Sequence, residues 1–486
     1  MASTKSPPIF SLPNEIVLNV FSYLAANKVA ADYTPSKLRF PLPITRVCRA
    51  WHDLAISSPS LWTTVLIQGD TDVSVAALFV KRADPCTFSL HVHSQDLHRG
   101  KVDKILSILA SGSSRLRAFK VTSFIDAEID LYTGILSGLS CSALESVDFR
   151  SQTGATSGVE VFSCITQSSS LRSVTLKGQL YGHRLSASWH NLTFMNLRKM
   201  QPTHAYFVEL FTSAPRLEIL YLPSLMVNPD EGADMNRSSI QAPSLRVLSV
   251  GLPRDHAEQN CSCPLSFLRM PHLKSLCISG KEIPNIGFHF FRSGAEDSLI
   301  TLRLHNIAID SEDAAFYQKF HNVRRMELVS VTGDVSTLFQ SPIPADRASE
   351  SRPTTLPFPR LSSIAYFPIS PYPIQWLEDV ACRRVSDDQR LLVELQKSSY
   401  DDYFHGQPSQ FNMTLHDQAP GPDFPLDEDD PFDWDSENDW GSEDSFGDEV
   451  DSEIYWYDSG DEEWYEEGED EFGDDDGLED IMGPLS

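Results

Sequence analysis

A six-residue pattern, leucine first with apolar residues fourth and sixth, recurs through the middle of this 486-residue chain. Its copies are LRAFKV (from Leu116), LESVDF (Leu144), LRSVTL (Leu171), LTFMNL (Leu192), LEILYL (Leu217), LRVLSV (Leu245), LKSLCI (Leu273) and LITLRL (Leu299). VRRMEL (Val323) and LSSIAY (Leu361) are weaker versions. Successive first positions lie 28, 27, 21, 25, 28, 28, 26, 24 and 38 residues apart. Alternation over so short a run marks a strand, and one such strand alone cannot bury its apolar side. Stacked copies can, because each supplies the neighbour the next one lacks. The spacing therefore predicts parallel strands joined by crossovers, with short helical patterns such as YFVELFTSAP between them. The last gap holds SPIPADRASESRPTTLPFP, a Pro- and Ser-rich stretch that reads as a loop insertion at about 340–358. Outward residues, including Glu218, Arg246, Lys274, Arg303 and Glu327, are expected to form one row of mixed sign. The earlier runs LWTTVLI and CTFSLHV could open the same sheet.

Ahead of the repeats, LPNEIVLNVFSYL places Ile16, Val17, Val20, Phe21 and Leu24 at helical spacing. Pro13 suits a first helical turn, and Glu15 there complements the helix dipole. A second helical stripe runs through Ile44, Val47, Cys48, Trp51, Leu54 and Ala55 of PITRVCRAWHDLA. In SSPSLWTTVLI, Ser58-Pro59 punctuates, and Leu61 and Trp62 can close a small helical core. Between the stripes, AANKVAADYTPSKLRFPL is long, and Pro41 and Pro43 place the start of any middle helix after Pro43.

Charge is confined to the far end. Of the 68 Asp and Glu residues, 29 fall within 421–486, where there is no Lys or Arg. The other 39 match the 39 basic residues, so the net charge of −29 belongs to that tail. A neutral body argues against general nucleic-acid binding, which needs a basic excess. In the tail, Phe432, Trp434, Trp440, Phe446, Trp456, Trp464 and Phe472 lie among acids. Such a segment repels itself and is expected to be disordered. It could solubilise the chain, insert its aromatics into basic or nuclear proteins, or fold back on basic positions of the repeats.

The ordered set LPxEI, VCRxW and SPxLW resembles an F-box, and the repeats resemble the looser leucine-rich repeats found with F-boxes in fungal proteins. The resemblance implies an α/β chain in three parts. These are a small all-α F-box-like module (1–67), a horseshoe-like parallel sheet with helices (68–400), and a disordered linker and acidic-aromatic tail (401–486). It further implies docking on a Skp-type linker protein of a cullin ubiquitin ligase through Leu12, Pro13, Ile16, Val20 and Phe21. Val47, Cys48, Trp51, Leu61 and Trp62 would form the module core. The target protein is left unnamed. Periodicity alone does not divide the stripe between partner and core. The long connection and its prolines depart from the family pattern and leave open a ligase-independent scaffold, with the module kept as a cap. A non-repeating α/β domain is the other reading of the middle region.

No chemistry announces itself. There is no GxxxxGK[ST], GxGxxG after a strand, HExxH or GxSxG, so no catalytic residue and no cofactor is expected. Cys261-Ser-Cys263 with His256 and His272 fits no zinc spacing, and no metal is expected. Eight scattered cysteines suit a reducing compartment. With no apolar leader and no run approaching 18 apolar residues, a cytoplasmic or nuclear protein without membrane contact is expected.

Overall fold

The computed structural model describes residues 12–31, 41–68, 73–93, 99–123, 132, 136, 138–151, 168–177, 189–198, 204–223, 239–252, 264–280, 293–340, 357–368, 375–385, 391–396 and 412–416. The acidic tail, most of the 340–358 insertion and the Cys261–Cys263 pair lie outside these residues. The described chain is α/β: a helical N-terminal module followed by one large sheet of parallel strands with helices and two short two-stranded pairs.

Fourteen strands stand in the sheet in their chain order. They are β1 (Thr64–Gln68), β2 (Phe88–His93), β3 (Leu116–Ser123), β4 (Ser146–Ser151), β5 (Ser173–Lys177), β6 (Phe194–Arg198) and β7 (Ile219–Leu222). There follow β8 (Val247–Leu252), β9 (Ser275–Gly280), β10 (Thr301–His305), β11 (Arg325–Val329), β12 (Ser363–Phe367), β13 (Leu392–Gln396) and β14 (Asn412–His416). The ten copies of the motif form β3 to β12, and their first, fourth and sixth residues are all buried. Register makes columns of them: Met195 stands opposite Leu220, Leu220 opposite Leu248, and Leu276 opposite Leu302. Each leucine thus fills the space its neighbours leave, and the core is continuous from Trp62 to Leu395.

Two consecutive units match element for element. Strand β11 follows β10, then Ser330 and Asn306 both take a left-handed backbone at φ 53°. The short pair Ala308–Ile309 and Thr332–Gly333 comes next. Helix Ser311–Tyr317 and the 3-10 turn Val335–Phe339 then start at Asp310 and Asp334, whose Oδ1 atoms accept from Asp313 N (2.8 Å) and Ser336 N (3.1 Å). A second ladder runs along the turns before the strands. Ser170 donates to Ser142 O (2.9 Å), Asn191 to Ser169 O (2.7 Å), Ser298 to Leu273 O (2.8 Å) and Asn322 to Asp297 O (2.6 Å). Each is the residue just ahead of the motif's first position, so these four turns are each tied to the preceding unit.

Three expectations need correction. The sheet begins at Thr64 and reaches His416, so it exceeds the 68–400 expected at both ends. LWTTVLI and CTFSLHV do open it, while Leu391, Val393 and Leu395 bury a further strand the motif search missed. The expected single row of mixed charge is two rows. Glu218, Arg246 and Lys274 lie in the residue before their strands, whereas Arg303 and Glu327 are opposite each other within β10 and β11. That second row carries a network: Arg303 and Arg325 both donate to Glu327, and Arg325 also grips Glu394 at 2.9 and 3.2 Å. Arg303, Glu327 and Glu394 are buried, and charges so placed need such pairing. The middle helix is the third case. It spans Leu42–Thr45, so Pro43 falls inside its first turn, where a missing N–H costs nothing.

Two consequences are measurable. At Gly251 an added Cβ would lie 1.6 Å from the Pro223 carbonyl oxygen, a backbone atom with no rotamer to yield. Gly251→Ala should lower stability by about 1–3 kcal/mol in chemical unfolding. Burial brings His91 down to about 4, with Lys120 and Arg150 adding to it against Asp148, and burial with Arg303 does the same to His305. Unfolded imidazoles titrate near 6.5, so between those values the unfolded chain holds more protons than the native one. Stability should be complete above about pH 6.5 and fall toward pH 4. The thermal midpoint against pH should flatten in His91→Gln/His305→Gln.

Candidate protein-docking surface

Helix α1 spans Asn14–Ala31, and the Pro13 carbonyl accepts from Ile16 N and Val17 N at its start. It absorbs the first part of the long connection, AANKVAA, whose alanines favour helix; residues 32–40 lie outside the described set. Helix α2 is Leu42–Thr45 and α3 is Arg49–Ile56, capped by an extended Cys48. A 3-10 turn, Pro59–Trp62, leads into β1.

At about 100° per residue, α1 splits its apolar side between two neighbours. Val17 and Phe21 point inward, and the Phe21 ring meets Trp51 edge-on at 5.0 Å. Leu12, Pro13, Ile16 and Val20 face outward, Ile16 46% and Val20 48% exposed. Phe21, grouped with them from the sequence, is 1% exposed and belongs to the core, because it stacks above Val17 rather than above Ile16. Tyr23 and Leu24, at i+7 and i+8 from Ile16, extend the outward stripe. Their spacing was visible in the sequence. Val47 is the converse correction. Expected in the core, it is 56% exposed, since it occupies the turn between α2 and α3 instead of a helical position. Of ten large exposed hydrophobics among the described residues, six lie between Leu12 and Val47, so the exposed apolar side chains concentrate in this module.

The joint with the sheet is aromatic. Trp62 is fully buried, donates from Nε1 to Ala55 O (2.8 Å), and meets Phe79 edge-on at 4.9 Å. Phe79 lies on α4 (Val73–Arg82), and the Arg82 guanidinium sits 4.4 Å over the indole. Leu61 is buried, while Trp51 and Leu54 are partly buried against the same core. Cys48 is half-buried, and Cys48, Cys86, Cys141, Cys277 and Cys382 are not joined in disulfides. Among the described residues no group of His, Cys, Asp and Glu could hold a metal, and no helix is long and apolar enough to cross a membrane.

The helical module presents an outward apolar stripe and is joined through a buried tryptophan to the parallel sheet. Residues 9–68 match the model of the F-box-like family, from the stripe through β1. Domains of this family generally bind Skp-type linkers of cullin ligases. No curated protein matches the chain.

The two faces of α1 should separate in experiment. Phe21→Ala and Trp62→Ala should each cost about 3–5 kcal/mol in denaturant unfolding. Ile16→Ala and Val20→Ala should stay within about 0.5 kcal/mol of the wild type.

Proposed function

We propose that the chain is a substrate-recognition adaptor of a Skp–cullin–F-box-type ubiquitin ligase. The observation that carries this reading is the outward stripe Leu12, Pro13, Ile16 and Val20, lying within the segment that matches the F-box-like family. Such a stripe has the form of a helix face that enters a partner's groove. The one-strand-per-unit sheet is best read as a leucine-rich-repeat solenoid, and it would hold the target. The adaptor does no bond chemistry. It raises the concentration of target lysines beside the ligase's ubiquitin donor. Cytoplasmic or nuclear residence suits that role.

A second reading is a ligase-independent scaffold, in which the module only caps the sheet and the acidic tail binds basic or nuclear proteins. The shortness of α2 favours it, since among the described residues between α1 and α3 only Leu42–Thr45 is helical. The two readings part in one titration of the purified chain against a Skp-type linker protein. The adaptor reading expects binding that falls at least tenfold in Leu12→Ala/Ile16→Ala/Val20→Ala with the thermal midpoint unchanged. A folded wild type that does not bind leaves the scaffold.

A further inference from the structure

The sheet closes differently at its two ends. In β1 the core positions Val65 and Ile67 are 1% and 0% exposed. At the far end the core columns stop in the open. Ile364, Val393 and Met413 stand opposite one another, as do Tyr366, Leu395 and Leu415. Val393 and Leu395 are fully buried, whereas Met413 is partly buried against the core and Leu415 is 40% exposed. A repeat array needs a terminal unit with a polar outer face to stay soluble alone, and the last described strand here offers a leucine instead.

The backbone of β14 is open on the same side. Residues facing away from the core donate to the preceding unit, as Val247 N does to Glu218 O, Thr301 N to Lys274 O and Leu392 N to Ser362 O, each at 2.9 Å. Residues in phase with the core donate to the following strand, as Asn306 N does to Val329 O (2.8 Å) and Ser330 N to Phe367 O (2.7 Å). In β14 that phase belongs to Met413 and Leu415. Their N–H and C=O groups therefore point to the outer edge, where no described strand follows. Edges are ordinarily guarded by charge, proline or a bulge. Strand β14 has no Lys, Arg, Asp, Glu or Pro, and it pairs with β13 residue for residue. Its end is held in place by His416, whose Nε2 lies 3.3 Å from Glu394 Oε2 and whose ring meets Phe367 at 5.8 Å.

We infer that the outer edge of β14 takes an added strand from a basic partner protein: an extended segment with two apolar side chains at alternate positions and Lys or Arg at both ends. Its backbone pairs with Met413 and Leu415, and its apolar side chains cover Leu415 and continue the two open columns. Charge selects this occupant over a second copy. Beyond His416 the chain runs on into 421–486, which holds 29 Asp and Glu and no Lys or Arg. Two copies joined edge to edge would each tether that charge near the joint and repel, whereas a basic segment is attracted. The inference goes beyond the adaptor reading and does not use the linker protein, so either can fail alone.

The experiment uses the full chain at physiological salt and four fluorescein-labelled peptides. The first has Lys-Lys on each side of a Thr-Val-Thr-Ile-Thr core. The second has Ser in place of Val and Ile, the third has Gln in place of every Lys, and the fourth is the first with its core amides N-methylated. Anisotropy should show binding of the first peptide and binding at least tenfold weaker for each of the others. Leu415→Pro removes an outward N–H and no bond to β13, so it should weaken the first peptide tenfold or more. Val208→Ser, at an equally exposed apolar position on helix His204–Ser213, should leave binding unchanged. Light scattering should find the wild type monomeric. The inference is overturned if the first peptide does not bind, if any other peptide binds as well, if a folded Leu415→Pro chain binds like the wild type, or if Val208→Ser loses as much. It is overturned too if the wild type is a dimer that Leu415→Pro makes monomeric, since a second copy then holds the edge. Should Leu415→Pro not fold, the N-methylated peptide carries the test.

Discussion

Everything in this chain depends on strands staying in register with neighbours that are separate in sequence by a whole unit. A column such as Met195, Leu220, Leu248, Leu276 and Leu302 shares one core with its adjoining columns and with crossover side chains such as Phe207 and Leu210. A slip of one residue in any strand would turn its whole apolar set to the other face. The turn ladder of Ser170, Asn191, Ser298 and Asn322 works against that slip, because each side chain reports the position of the preceding turn. Length between strands is by comparison free: the gap from Val323 to Leu361 is 38 residues, and β12 still pairs with β11 residue for residue.

The same register decides what the other face can do. Core positions are filled by any apolar side chain of suitable size, but the positions between them are set in rows by the strand pairing. On β10 to β13 those rows bring opposite charges together, so buried Glu327 and Glu394 are matched by buried Arg303 and part-exposed Arg325. On β3 to β6 they bring like charges together.

The repeats were legible because a strand that buries three of six residues writes its geometry into the sequence, and ten copies leave little room for chance. Strand β13 lies 29 residues after β12 (Ser363 opposite Leu392), inside the expected window, but Arg390 stands where the motif has its first leucine, so only Val393 and Leu395 carry the pattern. Strand β14 escaped because Met413 and Leu415 sit in polar surroundings. The two charge rows are separable in the motif itself: Lys274 is its second residue, ahead of the strand, whereas Arg303 is its fifth, within it. In the docking module, spacing gave the helix and its apolar side. It could not tell Phe21 from Val20, since that depends on where α3 and Trp51 stand. Val47 was lost by counting a helix through the break at Cys48.

Trp62 has a mechanical meaning beyond its place in the core. The indole is hydrogen-bonded to α3 on one side, held edge-on by Phe79, and roofed by Arg82 of α4. Module and sheet therefore meet through a wedge with no slack, not through a swivel. Any change in the angle between module and sheet would have to break the bond to Ala55 or draw the indole out from between Phe79 and Arg82.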